Sequence, residues 1–118
     1  MEYLALIYAD ETVWEGFSDE TREAMYEQYS EFARAAGNAG VLVAGEELGP
    51  TASATTVRVR EGREVVTDGP YAEVKEALGG YFILDCESLE DALAWAARIP
   101  AASHGAVEIR QVHVDEEA

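Results

Sequence analysis

Four stretches of regularly placed apolar residues define the main predicted elements of the chain. Residues 3–8 and 81–84 are apolar at consecutive positions, which is typical of β-strands covered on both faces. Residues 19–36 follow the N-cap Ser18 and place apolar side chains at helical spacing, and residues 89–99 repeat that spacing. The pattern therefore predicts two buried strands and two amphipathic helices.

Shorter segments complete the predicted sheet. Residues 41–44 and 107–110 have the composition of strands, and residues 55–60 and 63–66 flank the tight turn Glu61–Gly62 as the two strands of a hairpin. The alternation of apolar and polar side chains in residues 55–60 predicts one buried and one solvated face.

The predicted order is strand, helix, strand, hairpin, strand, helix, strand, with residues 10–16 as a loop. This order indicates a ferredoxin-like α+β sandwich, in which a mainly antiparallel sheet carries both helices on one side. A length of 118 residues is usual for one domain, and we predict a single domain over residues 1–118.

The number of helices raises the question of what covers the second face of the sheet. Two helices can cover only one face, yet residues 3–8 are apolar towards both. Because large exposed apolar patches are rare on monomers, we predict a symmetric homodimer in which a second sheet supplies the cover. A large ligand, a different subunit or a misassigned strand are the alternatives.

Charge and composition exclude several classes of function. The chain has 24 Asp and Glu against 8 Lys and Arg, a net charge of −16, which disfavours binding to nucleic acids and to anionic membrane surfaces. The single cysteine, Cys86, excludes an internal disulfide and a cysteine zinc site and fits a reducing compartment. Without a signal-like basic start or an apolar run of membrane-spanning length, we expect a cytoplasmic protein.

One long motif resembles a known family. Residues 67–76 read Thr-Asp-Gly-Pro-Tyr-Ala-Glu-Val-Lys-Glu, and residues 78–81 read Leu-Gly-Gly-Tyr. These residues resemble the YCII-related family in its DGPF-domain branch, and the similarity extends over nearly the whole chain. Tyr71 stands where that branch usually has Phe, and Gln111 where Pro often follows the preceding Arg.

The resemblance implies a dimeric α+β barrel and says little about the reaction. A His–Asp pair has been proposed for the broader family, with the His on the first helix and the Asp in the Asp-Gly-Pro turn. The predicted first helix contains no histidine here; Gln28 and Tyr29 lie nearest to that position. The resemblance therefore supplies the aspartate, Asp68, without the imidazole.

Asp68 is the main candidate for chemistry. As a desolvated carboxylate at the mouth of a cleft it could act as a general base or as a hydrogen-bond anchor. The alternative is structural, with the carboxylate bonding the backbone N–H of Gly69 or Tyr71. Gly69 and Pro70 give the segment its shape in both interpretations.

Further candidates for ligand binding lie nearby or on the predicted sheet. Lys75, the one lysine of the chain, lies between Glu73 and Glu76 and could hold an anionic substrate, although such a triplet is more often a solvated loop. Tyr8 and Tyr81 could form an aromatic pocket together with Phe82, or they could be packed in the core.

The remaining motifs favour neither a metal nor a cofactor. His104 and His113 match no zinc spacing, and the chain has no nucleotide-binding glycine motif. We therefore expect a cofactor-free enzyme with a small organic substrate. The alternative hypothesis is a non-catalytic binding or regulatory module, and the resemblance suggests a link to sigma-factor-dependent transcription.

Overall fold

The computed structural model describes residues 1–115. In that range it has six strands, three α-helices and two short 3₁₀ turns. The strands are β1 (Glu2–Asp10), β2 (Leu42–Glu47), β3 (Thr55–Arg60), β4 (Arg63–Asp68), β5 (Glu76–Asp85) and β6 (Ala106–Gln111). The helices are α1 (Glu11–Gly16), α2 (Asp19–Asn38) and α3 (Leu89–Ala96), and the 3₁₀ turns are Thr51–Ser53 and Pro100–Ser103.

Four strands form the main sheet in the order β2–β5–β1–β6, with every neighbouring pair antiparallel. Strands β3 and β4 are absent from it and pair only with each other. Leaving out that hairpin, this is the order of a ferredoxin-like sheet. The predicted α+β fold is therefore confirmed.

The core lies between one face of this sheet and the helices α2 and α3. Alternate residues of β1 point into it because a strand has a two-residue period. They pack with Leu84 of β5 and with apolar residues of both helices; the buried members from β1, α2 and α3 are Tyr3, Ala5, Ile7, Phe32, Ala36, Ala92 and Ala96. Phe82 also points this way, with its ring centroid 5.0 Å from that of Phe32.

The other face of the sheet carries no helix. The alternate side chains of β1, namely Leu4, Leu6 and Tyr8, are half-buried and lie outside the core cluster. Tyr81, which pairs with Leu6, and Ile83, which pairs with Leu4, extend this apolar face onto β5. The sheet is therefore apolar on both faces, and nothing in residues 1–115 packs on this one as the helices do on the other.

The structure corrects the predicted loop at residues 10–16. Its first residue ends β1 and the rest form α1, because the Asp10 side chain accepts a hydrogen bond from the Thr12 N–H and caps a short helix.

Two other predicted boundaries were wrong. Strand β5 begins at Glu76 rather than at residue 81, and a bulge at Gly79 lets it extend past Ile7 and Tyr8 of β1. Helix α3 ends at Ala96, before the predicted end at residue 99.

No helix in the described residues is both long and apolar enough to cross a membrane.

Candidate functional site

A cleft opens where β1 ends, beside the start of α1 and the segment that leads from β4 to β5. It consists of two adjoining cavities of about 330 and about 570 Å³, which share Thr51, Val74 and Lys75 on their walls. The smaller cavity is also lined by Asp10, Glu11, Thr12 and Ala77, and the larger by Ala52, Gly69, Pro70, Ala72 and Glu73.

Asp10 is a carboxylate of the smaller cavity that also caps α1. Its Oδ1 accepts hydrogen bonds from the Thr12 N–H at 2.9 Å and from the Thr12 hydroxyl at 2.6 Å. The Thr12 hydroxyl, then its N–H, and to a smaller extent the charge of Lys75 lower the pKa of Asp10 below its usual value. Asp10 is therefore ionised at neutral pH, and at such a pH it can accept hydrogen bonds but cannot donate a proton.

Lys75 faces Asp10 across the smaller cavity. Its Nζ lies 4.0 Å from Asp10 Oδ2, while the lysine side chain is 85% exposed and the aspartate side chain 16% exposed. An ion pair this exposed stabilises the fold little, because water screens it. The long lysine side chain is consequently free to turn towards an anionic group in the cleft.

Glu11 and Thr51, which both line the smaller cavity, are hydrogen-bonded to each other. The Glu11 Oε1 accepts a hydrogen bond from the Thr51 N–H and the Glu11 Oε2 one from the Thr51 hydroxyl, both at 2.9 Å. This two-oxygen contact joins the first turn of α1 to the turn that precedes β3. The width of the smaller cavity therefore depends on Glu11.

Asp68 lies outside both cavities. It is the last residue of β4, its side chain is exposed, and it pairs with Thr55 across the hairpin. The Gly69 N–H, one of the two partners expected for its carboxylate, donates instead to the Ala54 carbonyl oxygen at 2.7 Å. Asp68 is therefore next to the cleft in sequence but does not line it in a single chain.

The other predicted binding residues fall into two groups. Gly69, Pro70, Glu73 and Lys75 line the larger cavity. Tyr8 and Tyr81 lie on the helix-free face of the sheet and line neither cavity, while Phe82 points to the core. The structure thus brings the Gly69–Lys75 residues together and separates the three aromatic residues.

The residues that sequence reasoning missed are Asp10, Glu11 and Thr51. The signal for Asp10 was present, because an Asp two residues before a Thr is a common helix-capping pattern. The contact between Glu11 and Thr51 joins residues far apart in the chain, and no local pattern indicates it. No cluster of three or more His, Cys, Asp or Glu side chains suited to a metal occurs within residues 1–115.

The arrangement suits a small polar organic ligand. The ionised Asp10 and the exposed ammonium group of Lys75 face each other across the smaller cavity, whose walls also carry small apolar groups such as Val74 and Ala77. Such a cleft can orient a hydroxyl group towards the aspartate and an oxyanion towards the lysine.

Three comparisons with known proteins relate this chain to others. The model of the YCII-related domain matches residues 1–114. An uncharacterised protein of Rhizobium meliloti is 39% identical over 112 residues, which cover 93% of this chain and 90% of that protein. A solved structure of 5-chloro-2-hydroxyhydroquinone dehydrochlorinase from Burkholderia phenoliruptrix, in complex with 2,5-dihydroxybenzoquinone, superposes with a TM-score of 0.54 and 13% identity. The superposition covers 99% of this chain and 98% of that one.

Proposed function

This chain belongs to the YCII-related family, and we propose that it is a cofactor-free enzyme that acts on a small oxygenated organic molecule. The observation that carries the proposal is the pairing of Asp10 with Lys75 on the wall of a cleft next to the Asp-Gly-Pro segment. Its placement in the DGPF branch of the family and its cytoplasmic location stay predictions.

The two charged groups have complementary roles in this proposal. Asp10 accepts a hydrogen bond from a substrate hydroxyl, and Lys75 stabilises negative charge on a substrate oxygen. A carboxylate whose pKa is lowered is a weak base, so Asp10 anchors the substrate rather than removing its proton. Gly69, Pro70 and Glu73 form the adjoining wall.

The fold neighbour supports the class of substrate. Its name describes an enzyme of chlorinated hydroquinone chemistry, and its ligand is a planar ring with several oxygens. At 13% identity the shared feature is the fold, and no residue of that site is carried over to this chain. The proposal that the substrate here is a phenol, quinone or small organic acid rests on the cleft and on this parallel.

We further propose that the protein works as a homodimer. The chain exposes 8300 Å², whereas a compact chain of 12.8 kDa exposes about 6,300 Å². Its radius of gyration is 16.4 Å, against about 13.5 Å for a compact chain of this length. The surplus of about 2,000 Å² per chain is within the range that obligate dimers bury.

This dimer gives a role to three of the residues singled out in the sequence. Tyr8 and Tyr81 lie on the helix-free face and would meet the partner sheet. Asp68 is the proposed acid or base, and we assign it that role only in the assembled dimer, because in one chain it is exposed to solvent and lines neither cavity.

A thermal-shift screen of phenols, quinones and small organic acids, with 2,5-dihydroxybenzoquinone included, tests the proposal. A ligand at about 100 times its dissociation constant adds about 2.7 kcal/mol of stability, which raises Tm by about 10 °C in a domain of this size. The shift should fall in Asp10→Asn and Lys75→Gln. It should persist in Glu90→Gln, a control on an exposed residue of α3 that lines neither cavity.

Each outcome of the screen has a consequence. A shift that survives both cleft substitutions would place the ligand elsewhere and refute the Asp10–Lys75 site. A shift lost only in Asp68→Asn would return the anchor to the residue predicted from the sequence. If no compound raises Tm, the enzyme proposal fails, and the hypothesis of a binding or regulatory module gains.

A further inference from the structure

The hairpin formed by β3 and β4, residues 55–68, is an arm that stands apart from the main sheet. Its strands hydrogen-bond only to each other, and the described chain is a flat body with extents of 50 × 47 × 18 Å. Its turn has positive φ angles at Glu61 and Gly62, of 53° and 75°, as a two-residue hairpin turn requires.

One face of the arm is apolar and uncovered. Residues directly opposite each other point to the same side, so the pairs Val57–Val66 and Val59–Glu64 share a face. Val57, Val59 and Val66 are 59%, 62% and 59% exposed. The sequence pattern predicted that this face is buried, and within a single chain that prediction was wrong, because no other element formed by residues 1–115 covers it.

The base of the arm is closed by contacts among its own and its flanking residues. The Gly69 N–H donates to the Ala54 carbonyl, and the Thr56 hydroxyl donates to the Gly69 carbonyl at 2.8 Å. The Arg58 guanidinium carbon lies 5.2 Å from the centroid of the Tyr71 ring. These contacts extend the pairing of the two strands past β3 and β4, but a two-stranded hairpin alone is only marginally stable in water.

Charge distinguishes the arm from the rest of the chain. Its charges cancel: the three cations are Arg58, Arg60 and Arg63, and the three anions are Glu61, Glu64 and Asp68. The rest of the chain carries the whole net charge of −16. The body of a second copy therefore repels another body, whereas it does not repel the arm as a whole. On the arm, Glu64 and Asp68 lie on the face of the three valines, and the arginines lie on the opposite face.

We propose that the arm packs on a second copy of this chain through Val57, Val59 and Val66. The inference rests on the proposed homodimer and adds a specific contact to it. The arm adds three exposed valines to the apolar side chains of the helix-free face, and the surplus of about 2,000 Å² per chain is large enough for one interface to cover both. Asp68 ends the apolar face, so the same contact encloses the proposed acid or base.

A pair of neighbouring substitutions on β4 tests the arm. Val66→Asp places a charge on the apolar face, and Val65→Asp places the same charge on the opposite face, beside Arg58. Both side chains are exposed in one chain, at 59% and 41%, so neither change should prevent folding, which far-UV circular dichroism checks. Because a symmetric dimer contains two arms, we expect Val66→Asp to raise the dimer dissociation constant about 100-fold and Val65→Asp by less than about threefold.

Sedimentation equilibrium across nanomolar to micromolar concentrations measures both constants. A wild-type chain that stays monomeric would refute the homodimer and the arm contact together. A wild-type dimer that Val66→Asp leaves intact would refute the arm contact alone. Hydrogen exchange of the β3 and β4 amides gives an independent reading, since it should slow in wild type as dimer forms and should not slow in Val66→Asp under the same conditions.

Discussion

The contact between Glu11 and Thr51 makes the sharpest prediction about the cleft. Hydrogen bonds to a charged group contribute about 1.5–3 kcal/mol each when buried. Both bonds here are only partly buried, so we expect Glu11→Ala to lower the free energy of unfolding by about 2 kcal/mol in total. Thr51→Val removes one bond and keeps the shape of the side chain, at a cost of about 1 kcal/mol.

A double-mutant cycle separates this contact from other effects of the substitutions. Glu11 also interacts favourably with the N-terminal end of α1, and that contribution cancels in the cycle. Urea unfolding of wild type, both single variants and the double variant should give a coupling energy of about 1 kcal/mol. Glu11→Gln is the control, because its amide can still accept from the Thr51 N–H and donate to the Thr51 hydroxyl.

A coupling energy below about 0.3 kcal/mol would mean that the two side chains act independently. The idea that Glu11 sets the width of the smaller cavity would then be wrong. The same variants connect stability to binding: a ligand found in the thermal-shift screen should bind more weakly to Glu11→Ala than to Glu11→Gln.

Two further predictions concern the end of β1 and the turn before β6. Gly105→Ala should lower the free energy of unfolding in urea by about 2–3 kcal/mol, because the Cβ of the new alanine would overlap the Tyr8 carbonyl oxygen. Gly16→Ala is the control: the space around Gly16 is open, so this change should alter the free energy of unfolding by under about 1 kcal/mol. For Asp10, the lowered pKa means that its charge stabilises the folded state above the unfolded value near 3.8, and that this stabilisation is lost as pH falls through the folded pKa. The urea midpoint of wild type should therefore exceed that of Asp10→Asn, which keeps a good helix cap, by more at pH 6 than at pH 3; an equal difference at both values would refute this role.

The pattern of apolar residues predicted the layers of the fold because each strand or helix places its buried side chains at a short, regular spacing in the sequence. The run of consecutive apolar residues in β1 predicted two apolar faces, and Phe32 and Ala36 showed the buried side of α2. The cleft, in contrast, depends on contacts between residues that are far apart in the sequence and follow no repeating pattern. Asp10 and Lys75 meet because antiparallel pairing sets Asp10 opposite Glu76, and no property of either residue in the sequence shows that register.

The hairpin shows a different limit. The alternation of apolar and polar residues in 55–60 correctly predicted a strand whose two faces differ. Alternation by itself gives no further information. It does not say which surface meets the apolar face, and within one chain Val57 and Val59 meet none.

The segment from Asp68 to Lys75 links the proposed assembly to the proposed site. It starts at the end of the apolar face of the arm and finishes at the ion pair with Asp10. A partner packed on the arm as proposed would also exclude water from the side chain of Asp68. The two aspartates would then differ in role: Asp10, ionised by its hydrogen bonds, anchors the substrate in either state, whereas Asp68 becomes useful for proton transfer only in the dimer. It follows that a substitution that weakens the arm contact, such as Val66→Asp, should lower kcat by a larger factor than it lowers the affinity of the cleft for substrate.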